Sequence, residues 1–325
     1  MDGPHKINLF NKVCIYDKTK CQVLMYGQKL KSNRNTCTCK DYNINIVENG
    51  NSGPGAGQMD FIIKIDTKKE DIEGKELSFV FGTNRINCEL FFPFESSLTH
   101  LDESSCIVCT MCELCDNKKR LDEWIQYNQK LGFSGIIIFS NDNEENIDEM
   151  KKIRKKYEDY VSVVSFPYKA LRKDIHWNNI QRASFNIGCE AFKNRCAQIA
   201  LIDTDEFIYI TSNPQVSIVD FMKGKGTCVI QSNIITNKGI DDVFNNNVLS
   251  LCKYVGPNKY QKIILSTGEL RKQKNIFICT PHKGIAGGKL LKKTEIIHYH
   301  CWVNKRWEYN DNMPILNELE QFMNG

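Results

Sequence analysis

One short stretch, Leu201-Ile202-Asp203-Thr204-Asp205-Glu206-Phe207, constrains the fold of this chain more than any other. The apolar run at 199–202 leads directly into two carboxylates separated by one residue, and a second apolar run follows at 207–210. Runs of this length are typical of buried strands, so Asp203 and Asp205 are predicted to sit where a central strand ends. In open α/β sheets, ligands bind just beyond the carboxyl ends of strands.

Two carboxylates at such a position predict a divalent metal site. Carboxylate oxygens are hard ligands that suit Mn²⁺ or Mg²⁺, and a bound cation could hold a diphosphate. The alternative is a structural acid pair, because an Asp-x-Asp motif also arises by chance. We favour the metal hypothesis, with Asp203 and Asp205 as ligands, because the flanking residues are apolar.

From residue 106 onward the sequence alternates between strand and helix patterns, which predicts an α/β fold with a mixed, mainly parallel sheet. Apolar runs and helical spacing predict strands at 106–110, 135–139 and 161–166, and helices at 116–131, 144–157 and 180–195. Residues 1–104 contain only short apolar stretches between turn-forming residues. We therefore expect a β-rich N-terminal region at 1–104 and the α/β domain at 105–325.

Composition excludes several classes of protein. The formal net charge is +4 over 325 residues, with dispersed basic residues, which does not suggest a nucleic-acid-binding protein. No apolar run reaches the length of about 18 residues that a membrane span needs. The first ten residues lack the apolar core of a signal peptide. From these features we expect a soluble, cytoplasmic chain without a membrane span.

Fifteen cysteines are a high count, and four of them, Cys106, Cys109, Cys112 and Cys115, are evenly spaced. This spacing is close to that of iron–sulfur or zinc sites, so a metal-cluster protein is one alternative function. Residues three apart on a strand point to opposite faces, however, so Cys106 and Cys109 could not share an ion there. Without an export signal, free thiols in a reducing compartment are the expectation.

Several segments from about Ser105 to Tyr309 follow one another in the order found in a known family: Glu113, Leu121-Asp122-Glu123-Trp124-Ile125-Gln126-Tyr127-Asn128, Leu131-Gly132, Ile136-Ile137-Ile138-Phe139, Gln181, Leu201–Phe207, His298-Tyr299-His300 and Lys305-Arg306-Trp307-Glu308-Tyr309. Together they resemble the family 92 (DUF23-like) glycosyltransferases. The chain departs from the family pattern at Met111-Cys112, at Ser140, where relatives place an Asp two residues before Asp142, and at Arg306.

This resemblance implies a GT-A fold and a hexosyl- or pentosyltransferase activity. The implied donor is a nucleotide-diphosphate sugar, with a UDP-sugar foremost. The implied acceptor is a hydroxyl group of a glycan or glycoprotein, and the transfer would invert the anomeric carbon. The resemblance also implies that Asp203 and Asp205 hold the cation, Mn²⁺ or Mg²⁺. A non-catalytic sugar- or nucleotide-binding protein of the same fold is the alternative.

A histidine could complete the metal shell. His298 and His300 share one face of a predicted terminal strand, because side chains alternate along a strand. We favour His298, which precedes Tyr299 as in the family's His-Tyr pair, while His282 is a further candidate on a loop.

The remaining candidates would contact the donor or deprotonate the acceptor. The predicted donor-binding residues are Thr110, Glu113, Asn141, Asp142, Gln181, Asp203, Lys262 and Lys305. An inverting transfer needs a carboxylate base, for which Asp241, Asp242 and Glu269 are the candidates.

Overall fold

Two sheets form the N-terminal third of the chain. The computed structural model describes residues 7–30, 36–49, 58–114, 118–142, 147–171, 177–236, 248–278, 288–301 and 312–324. The N-terminal strands are β1 (Ile7–Leu9), β2 (Ile15–Asp17), β3 (Gln22–Leu30), β4 (Cys37–Cys39), β5 (Ile44–Glu48), β6 (Gln58–Asp66), β7 (Glu76–Phe81) and β8 (Asn84–Glu89). β1, β2, β3, β5 and β6 make a five-stranded sheet, and β4, β7 and β8 make a three-stranded one. The β-rich character expected here is present.

Strands and helices alternate in the remainder of the chain. The strands are β9 (Cys106–Cys112), β10 (Gly135–Ser140), β11 (Val161–Ser165), β12 (Gln198–Leu201), β13 (Glu206–Tyr209), β14 (Cys228–Thr236), β15 (Tyr254–Ser266), β16 (Lys289–Leu290) and β17 (Ile297–Cys301). The helices are α1 (Lys118–Lys130), α2 (Ile147–Lys156), α3 (Asn178–Phe192), α4 (Ile218–Met222), α5 (Val248–Leu251), α6 (Thr267–Leu270) and α7 (Glu318–Asn324).

β9 to β17 form one nine-stranded sheet with the order β11-β10-β9-β12-β15-β14-β17-β13, and β16 pairs with β14. The pairing is parallel between β10 and β11, between β10 and β9, and between β12 and β9. Strands joined by helical crossovers are expected to pair in this way. β15 runs antiparallel to both β12 and β14, whereas β17 runs parallel to β14. The predicted α/β class with a mixed, mainly parallel sheet is confirmed.

The two faces of β9 belong to different apolar cores. Cys106 and Cys112 pack on the α1 face, whereas Cys109 packs on the opposite face against α3. Cys106 and Cys109 therefore cannot bind one ion together. Cys115 lies outside the described residues. Among the three described cysteines of the evenly spaced set, the alternation expected for a strand is confirmed, and it removes the geometric basis for a four-cysteine cluster.

The N-terminal sheet covers the α3 side of the main sheet. Phe10, Tyr26 and Ile62 from the N-terminal region share one core with residues of β9, β10 and α3. A buried ion pair crosses the boundary, because Arg182 on α3 lies 2.9 Å from Asp60 on β6. Within the described ranges, no helix is long and apolar enough to cross a lipid bilayer.

The Asp60–Arg182 ion pair is predicted to be essential for stability. Asp60→Ala would leave the Arg182 guanidinium buried without its carboxylate, and removing one partner of a buried pair costs about 3 to 5 kcal/mol. Urea unfolding should therefore show a large loss in the free energy of unfolding. The matched control is Asp148→Ala on α2, where the acid is 85% exposed and faces Lys151 at 3.7 Å. Equal, small losses in both variants would contradict the prediction.

Candidate functional site

The two aspartates follow the carboxyl end of β12, which lies in the centre of the sheet between β9 and β15. The chain turns at once, and the backbone N–H of Glu206 donates to the carbonyl of Asp203. The Glu206 side chain returns to accept a hydrogen bond from the Asp203 backbone N–H at 2.7 Å. This tight turn brings three carboxylates together within four residues. The predicted position of Asp203 and Asp205 at a strand end is confirmed.

One face of α1 holds this turn and the strand after it. Three α1 side chains at helical spacing contact three alternate residues, all buried, of the turn at 203–206 (the acid turn) and of β13. The contacts are Arg120 Nη2 to Thr204 Oγ1 at 3.1 Å, Trp124 Nε1 to the Glu206 carbonyl at 2.8 Å and Tyr127 Oη to the Ile208 carbonyl at 2.8 Å. Residues i, i+4 and i+7 lie on one helix face, so a single rigid element fixes the whole segment.

Lys262 on β15 supplies the central positive charge of the site. Its ammonium lies 2.8 Å from Asp203 Oδ2 and 2.9 Å from Glu206 Oε2, and its side chain is only 2% exposed. Burial alone would raise the pKa of Glu206, but Lys262 and His298 outweigh burial and hold this pKa well below its usual range. Burial likewise opposes the charged form of Lys262, yet the two carboxylates raise its pKa. The buried pair is therefore ionised.

Asp203 is engaged by protein groups on both sides. Gln181 Nε2 on α3 donates to one carboxylate oxygen, and Lys262 Nζ donates to the other. Burial raises the pKa of Asp203 to about 6, an effect that the neighbouring Glu206 and Asp205 reinforce and that Lys262 opposes. The structure thus brings the predicted residues Gln181, Asp203 and Lys262 together.

His300 lies beside the second aspartate. Its Nε2 is 3.6 Å from Asp205 Oδ2, and its Nδ1 is 3.9 Å from Glu206 Oε1. Burial lowers the pKa of His300, but Asp205 outweighs burial and raises this pKa to about 9. Burial would raise the pKa of Asp205, and the His300 imidazolium more than offsets that, so this pKa is lowered.

His298 shares a face of β17 with His300, as predicted, and their ring centroids are 6.3 Å apart. Its Nδ1 lies 2.8 Å from Ser232 Oγ, and Asn258 Nδ2 donates to that same oxygen. Ser232 can therefore donate its hydroxyl proton to Nδ1, which places the imidazole proton on Nε2, 3.5 Å from Glu206 Oε1. Burial lowers the pKa of His298, so the ring is neutral.

Asp205, Glu206 and His300 form the candidate metal site. One ligand atom from each lies within 4.8 Å of the others. Two carboxylate oxygens and one imidazole nitrogen suit Mn²⁺ and similar divalent ions. Glu206 thus joins Asp205 in this group, while Asp203 faces Lys262 and Gln181. His300, not the favoured His298, is the histidine in the group.

Two predicted donor-binding residues, Asn141 and Asp142, directly follow β10 and form hydrogen bonds within the protein. Asn141 donates through Nδ2 to the carbonyls of Phe166 and Tyr168. Asp142 accepts hydrogen bonds from the Leu114 N–H and the Ser140 hydroxyl, both at 2.7 Å. These hydrogen bonds fix the conformation of the chain just after β10.

Thr110 and Glu113 differ in their exposure. Thr110 is fully buried on β9, and its hydroxyl has no hydrogen-bond partner among the described residues. Glu113 follows the strand, has a side chain that is 44% exposed and lies 3.6 Å from the Lys169 ammonium. Of the two, Glu113 is the one that a ligand above the sheet edge could contact.

The structure does not bring Glu269 to the acid turn. β15 runs antiparallel to β12, so Leu201 at the carboxyl end of β12 pairs with Ile263 and Gln198 at the amino end pairs with Ser266. Glu269, three residues beyond Ser266, therefore lies at the opposite edge of the sheet, where its Oε1 accepts from the Thr227 N–H. Its proposed role as the base does not fit this position. Asp241, Asp242, His282 and Lys305 lie outside the described residues.

The sequence-based prediction missed Glu206, Arg120 and Ser232 as site residues. For Arg120 the sequence did carry a signal: its spacing to Trp124 and Tyr127 places all three side chains on one face of a helix. Their partners, Thr204, Glu206 and Ile208, have the alternating spacing of a strand. Ser232 carried no such signal, since its contact with His298 joins residues 66 apart.

Comparison with known proteins shows one curated relative. A glycosyltransferase family 92 protein of Oryza sativa subsp. japonica is 28% identical over 109 residues. The chain resembles the family 92 glycosyltransferases. The alignment covers 34% of this chain and 17% of the relative, so the chain matches about a sixth of the relative's length. No family model matches the chain.

Solved structures with a similar arrangement include S. aureus TarS 1–349 and GalNAc-T7 with UDP, GalNAc and Mn²⁺. TarS 1–349 is 11% identical with a TM-score of 0.36, and the match covers 61% of this chain and 60% of that one. GalNAc-T7 is 12% identical with a TM-score of 0.37, and the match covers 65% and 46%.

The raised pKa of His300 predicts a pH-dependent stability in the metal-free protein. Because the folded-state pKa lies at about 9, above the unfolded value of about 6.5, the stabilisation is complete below pH 6.5 and is lost as the pH rises through 9. The loss should be at most about 3 kcal/mol. Urea unfolding with a chelator present at several pH values measures it.

The matched comparison for this pH dependence is His300→Gln against His100→Gln, an exposed histidine whose ring bonds the Ser134 carbonyl. The alkaline loss should disappear in His300→Gln and persist in His100→Gln. An unchanged pH profile in His300→Gln would contradict the assignment.

Proposed function

We propose that this chain is a metal-dependent glycosyltransferase that moves a sugar from a nucleotide-diphosphate donor to a hydroxyl acceptor. The observation that carries the proposal is the convergence of Asp205, Glu206 and His300 at the carboxyl end of a central strand. The family 92 resemblance supports the reaction class. A UDP-sugar donor, a glycan or glycoprotein acceptor and inversion at the anomeric carbon belong to the same proposal.

The residues present fit a divalent cation. Their donor set is two carboxylates and one imidazole, and the buried His298 Nε2 lies 3.5 Å from Glu206 Oε1. When bound, Mn²⁺ or Mg²⁺ would supply positive charge for the departing nucleotide diphosphate. Asp205, Glu206 and His300 would hold it. His298 would orient Glu206 from behind, as groups that bond a metal ligand commonly do.

The other residues of the site keep this ligand set in place. Lys262 holds Glu206 ionised, and Arg120 fixes the turn through Thr204. Asp203 keeps 29% of its side chain exposed while it bonds Lys262 and Gln181. Its exposed edge would accept a hydrogen bond from a donor hydroxyl. These groups position the ligands before any substrate arrives, which is how an enzyme limits reorganisation during reaction.

Transfer with inversion also needs a base for the acceptor hydroxyl. Of the three acids considered, Glu269 lies at the wrong edge of the sheet. Asp241 and Asp242 remain the proposed candidates, and they follow β14, which neighbours both β15 and β17.

The charge balance of the site also fits a second function, nucleotide-sugar binding without transfer. Three carboxylates at 203, 205 and 206 face Lys262, His300 and the nearby Arg120, so the site is neutral without an ion. A binding protein needs no more than this. Sugar transfer in the presence of donor and acceptor separates the two functions.

Metal binding should displace a proton from His300. A ligating imidazole must be neutral, and the pKa of His300 is about 9 in the metal-free protein. Isothermal titration of Mn²⁺ at pH 7, repeated in buffers of different ionisation enthalpy, should therefore show release of about one proton per ion. His300→Gln should release no proton on binding Mn²⁺. Its affinity for Mn²⁺ should fall at least about tenfold, since the loss of even a group that only supports a metal ligand typically lowers affinity by that much.

Two carboxamide variants sharpen the metal titration. Asp205→Asn removes a ligand charge and should abolish detectable Mn²⁺ binding, whereas Asp148→Asn, on the exposed face of α2, should bind like wild type. Undiminished Mn²⁺ binding by folded Asp205→Asn would refute the proposed site.

Donor recognition is tested with a panel of nucleotide sugars. A true donor at 100 times its Kd stabilises the folded state by about 2.7 kcal/mol, so it should raise Tm measurably, and only with Mn²⁺ present. The same donor with a glycan acceptor should then yield a transferred sugar. Metal-dependent protection without any product across the panel would favour the binding function instead.

A further inference from the structure

Two cysteine sulfurs meet below the candidate metal site. The Sγ atoms of Cys252 and Cys301 lie 2.8 Å apart. Non-bonded heavy atoms in a packed core usually sit about 3.5 to 4.0 Å apart, so these side chains point directly at one another. The S–S bond of a disulfide is about 2.05 Å long, so the two sulfurs would need to move less than about one ångström closer to form it.

The backbone around each sulfur is anchored. The Cys252 N–H donates to the Val248 carbonyl at 2.8 Å, which closes the turn after α5. The Cys301 N–H donates to the Asp205 carbonyl at 2.8 Å. Cys252 lies two residues before β15, and Ile235 of β14 pairs with Val255 of β15 on one side and with Cys301 of β17 on the other. The backbone on both sides of the contact is therefore held by hydrogen bonds to other parts of the fold.

We propose that Cys252 and Cys301 form a disulfide bond when the chain meets a low-molecular-weight disulfide such as oxidised glutathione. One cysteine, as its thiolate, attacks a sulfur of the oxidant and releases one glutathione thiolate. The second cysteine then attacks the protein sulfur of that mixed disulfide and releases the other. Two protein thiols lose two protons and two electrons, and the oxidant becomes two thiols.

Burial decides when this reaction occurs. Cys252 and Cys301 are 2% and 4% exposed, so glutathione reaches them during folding or local opening, not in the closed native state. Once formed, the bond is protected by the same burial. A chain that carries this link has therefore met an oxidant either during folding or while locally open.

The link would join two parts of the site. Glu123 on α1 accepts hydrogen bonds from the N–H groups of Val248 and Leu249 at the start of α5. A Cys252–Cys301 bond would connect the end of α5 covalently to the residue after His300. It closes a loop between residues 49 apart, which restricts the unfolded chain and raises stability. This proposal does not depend on the glycosyltransferase function.

Peptide mapping of the full chain tests the link. The protein is refolded in buffers with oxidised or reduced glutathione, alkylated, digested and analysed without reduction. In the oxidised sample we expect one cross-linked peptide pair that contains residues 252 and 301, with a mass lower by two hydrogen atoms. The pair should be absent from the reduced sample. Recovery of both cysteines in alkylated form after oxidation, or their bonding to other cysteines, would overturn the proposal.

Thermal unfolding supplies a second readout. Wild type should unfold at a Tm higher by roughly 5 °C in the oxidised than in the reduced state. Cys252→Ala should abolish this redox difference without disturbing β17. The matched control is Cys106→Ala, a buried cysteine on β9, which should keep the full difference. A redox difference that survives in Cys252→Ala would show that another pair is responsible.

Discussion

The buried ammonium of Lys262 is the interaction on which the site depends. Three carboxylates within residues 203–206 would repel one another at a strand end where Glu206 is buried and the side chains of Asp203 and Asp205 are only 29% and 28% exposed. Lys262 bonds two of them, Asp203 and Glu206, from a strand that comes later in the chain. One ammonium offsets one of these two negative charges, and Asp205 pairs with His300. Because Lys262 bonds Oε2 of Glu206, the other oxygen, Oε1, faces His300 together with Asp205.

The second constraint is mechanical. α1 donates hydrogen bonds to the turn and to β13 from one face, so the acids do not rest on a free loop. Trp124 and Tyr127 also bury large aromatic surfaces in the core beneath it. Precise placement of polar groups needs this kind of rigid support, because catalytic and binding geometry tolerates errors of only about half an ångström.

Local sequence patterns predicted much of the fold. The apolar runs at 135–139 and 161–166 correspond to β10 and β11, and the expected helices overlap α1, α2 and α3 within a few residues at their ends. The acid turn was also placed at a strand end. These features depend on neighbours in sequence, and a period of 2 or 3.6 residues is visible without any knowledge of the fold.

The partners of each acid could not be predicted in this way. Lys262 is 59 residues from Asp203, and Ser232 is 66 residues from His298. Such contacts depend on strand order and register, which no local pattern encodes. Which of His298 and His300 lies beside Asp205 could not be predicted for the same reason: both face the site, and only their neighbours on β13 and β14 distinguish them.

The match between α1 and β13 has a consequence for how chains of this kind can change in length over evolution. Arg120, Trp124 and Tyr127 all reach their partners because the spacing of side chains on one helix face matches the spacing of alternate strand residues over about two helical turns. Inserting or deleting one residue within 204–208 would rotate the following side chains to the other side of the strand. Such a change would separate Trp124 and Tyr127 from their carbonyl partners and turn the acids away from His300. Homologous chains should therefore accumulate insertions elsewhere and keep the length of this segment fixed.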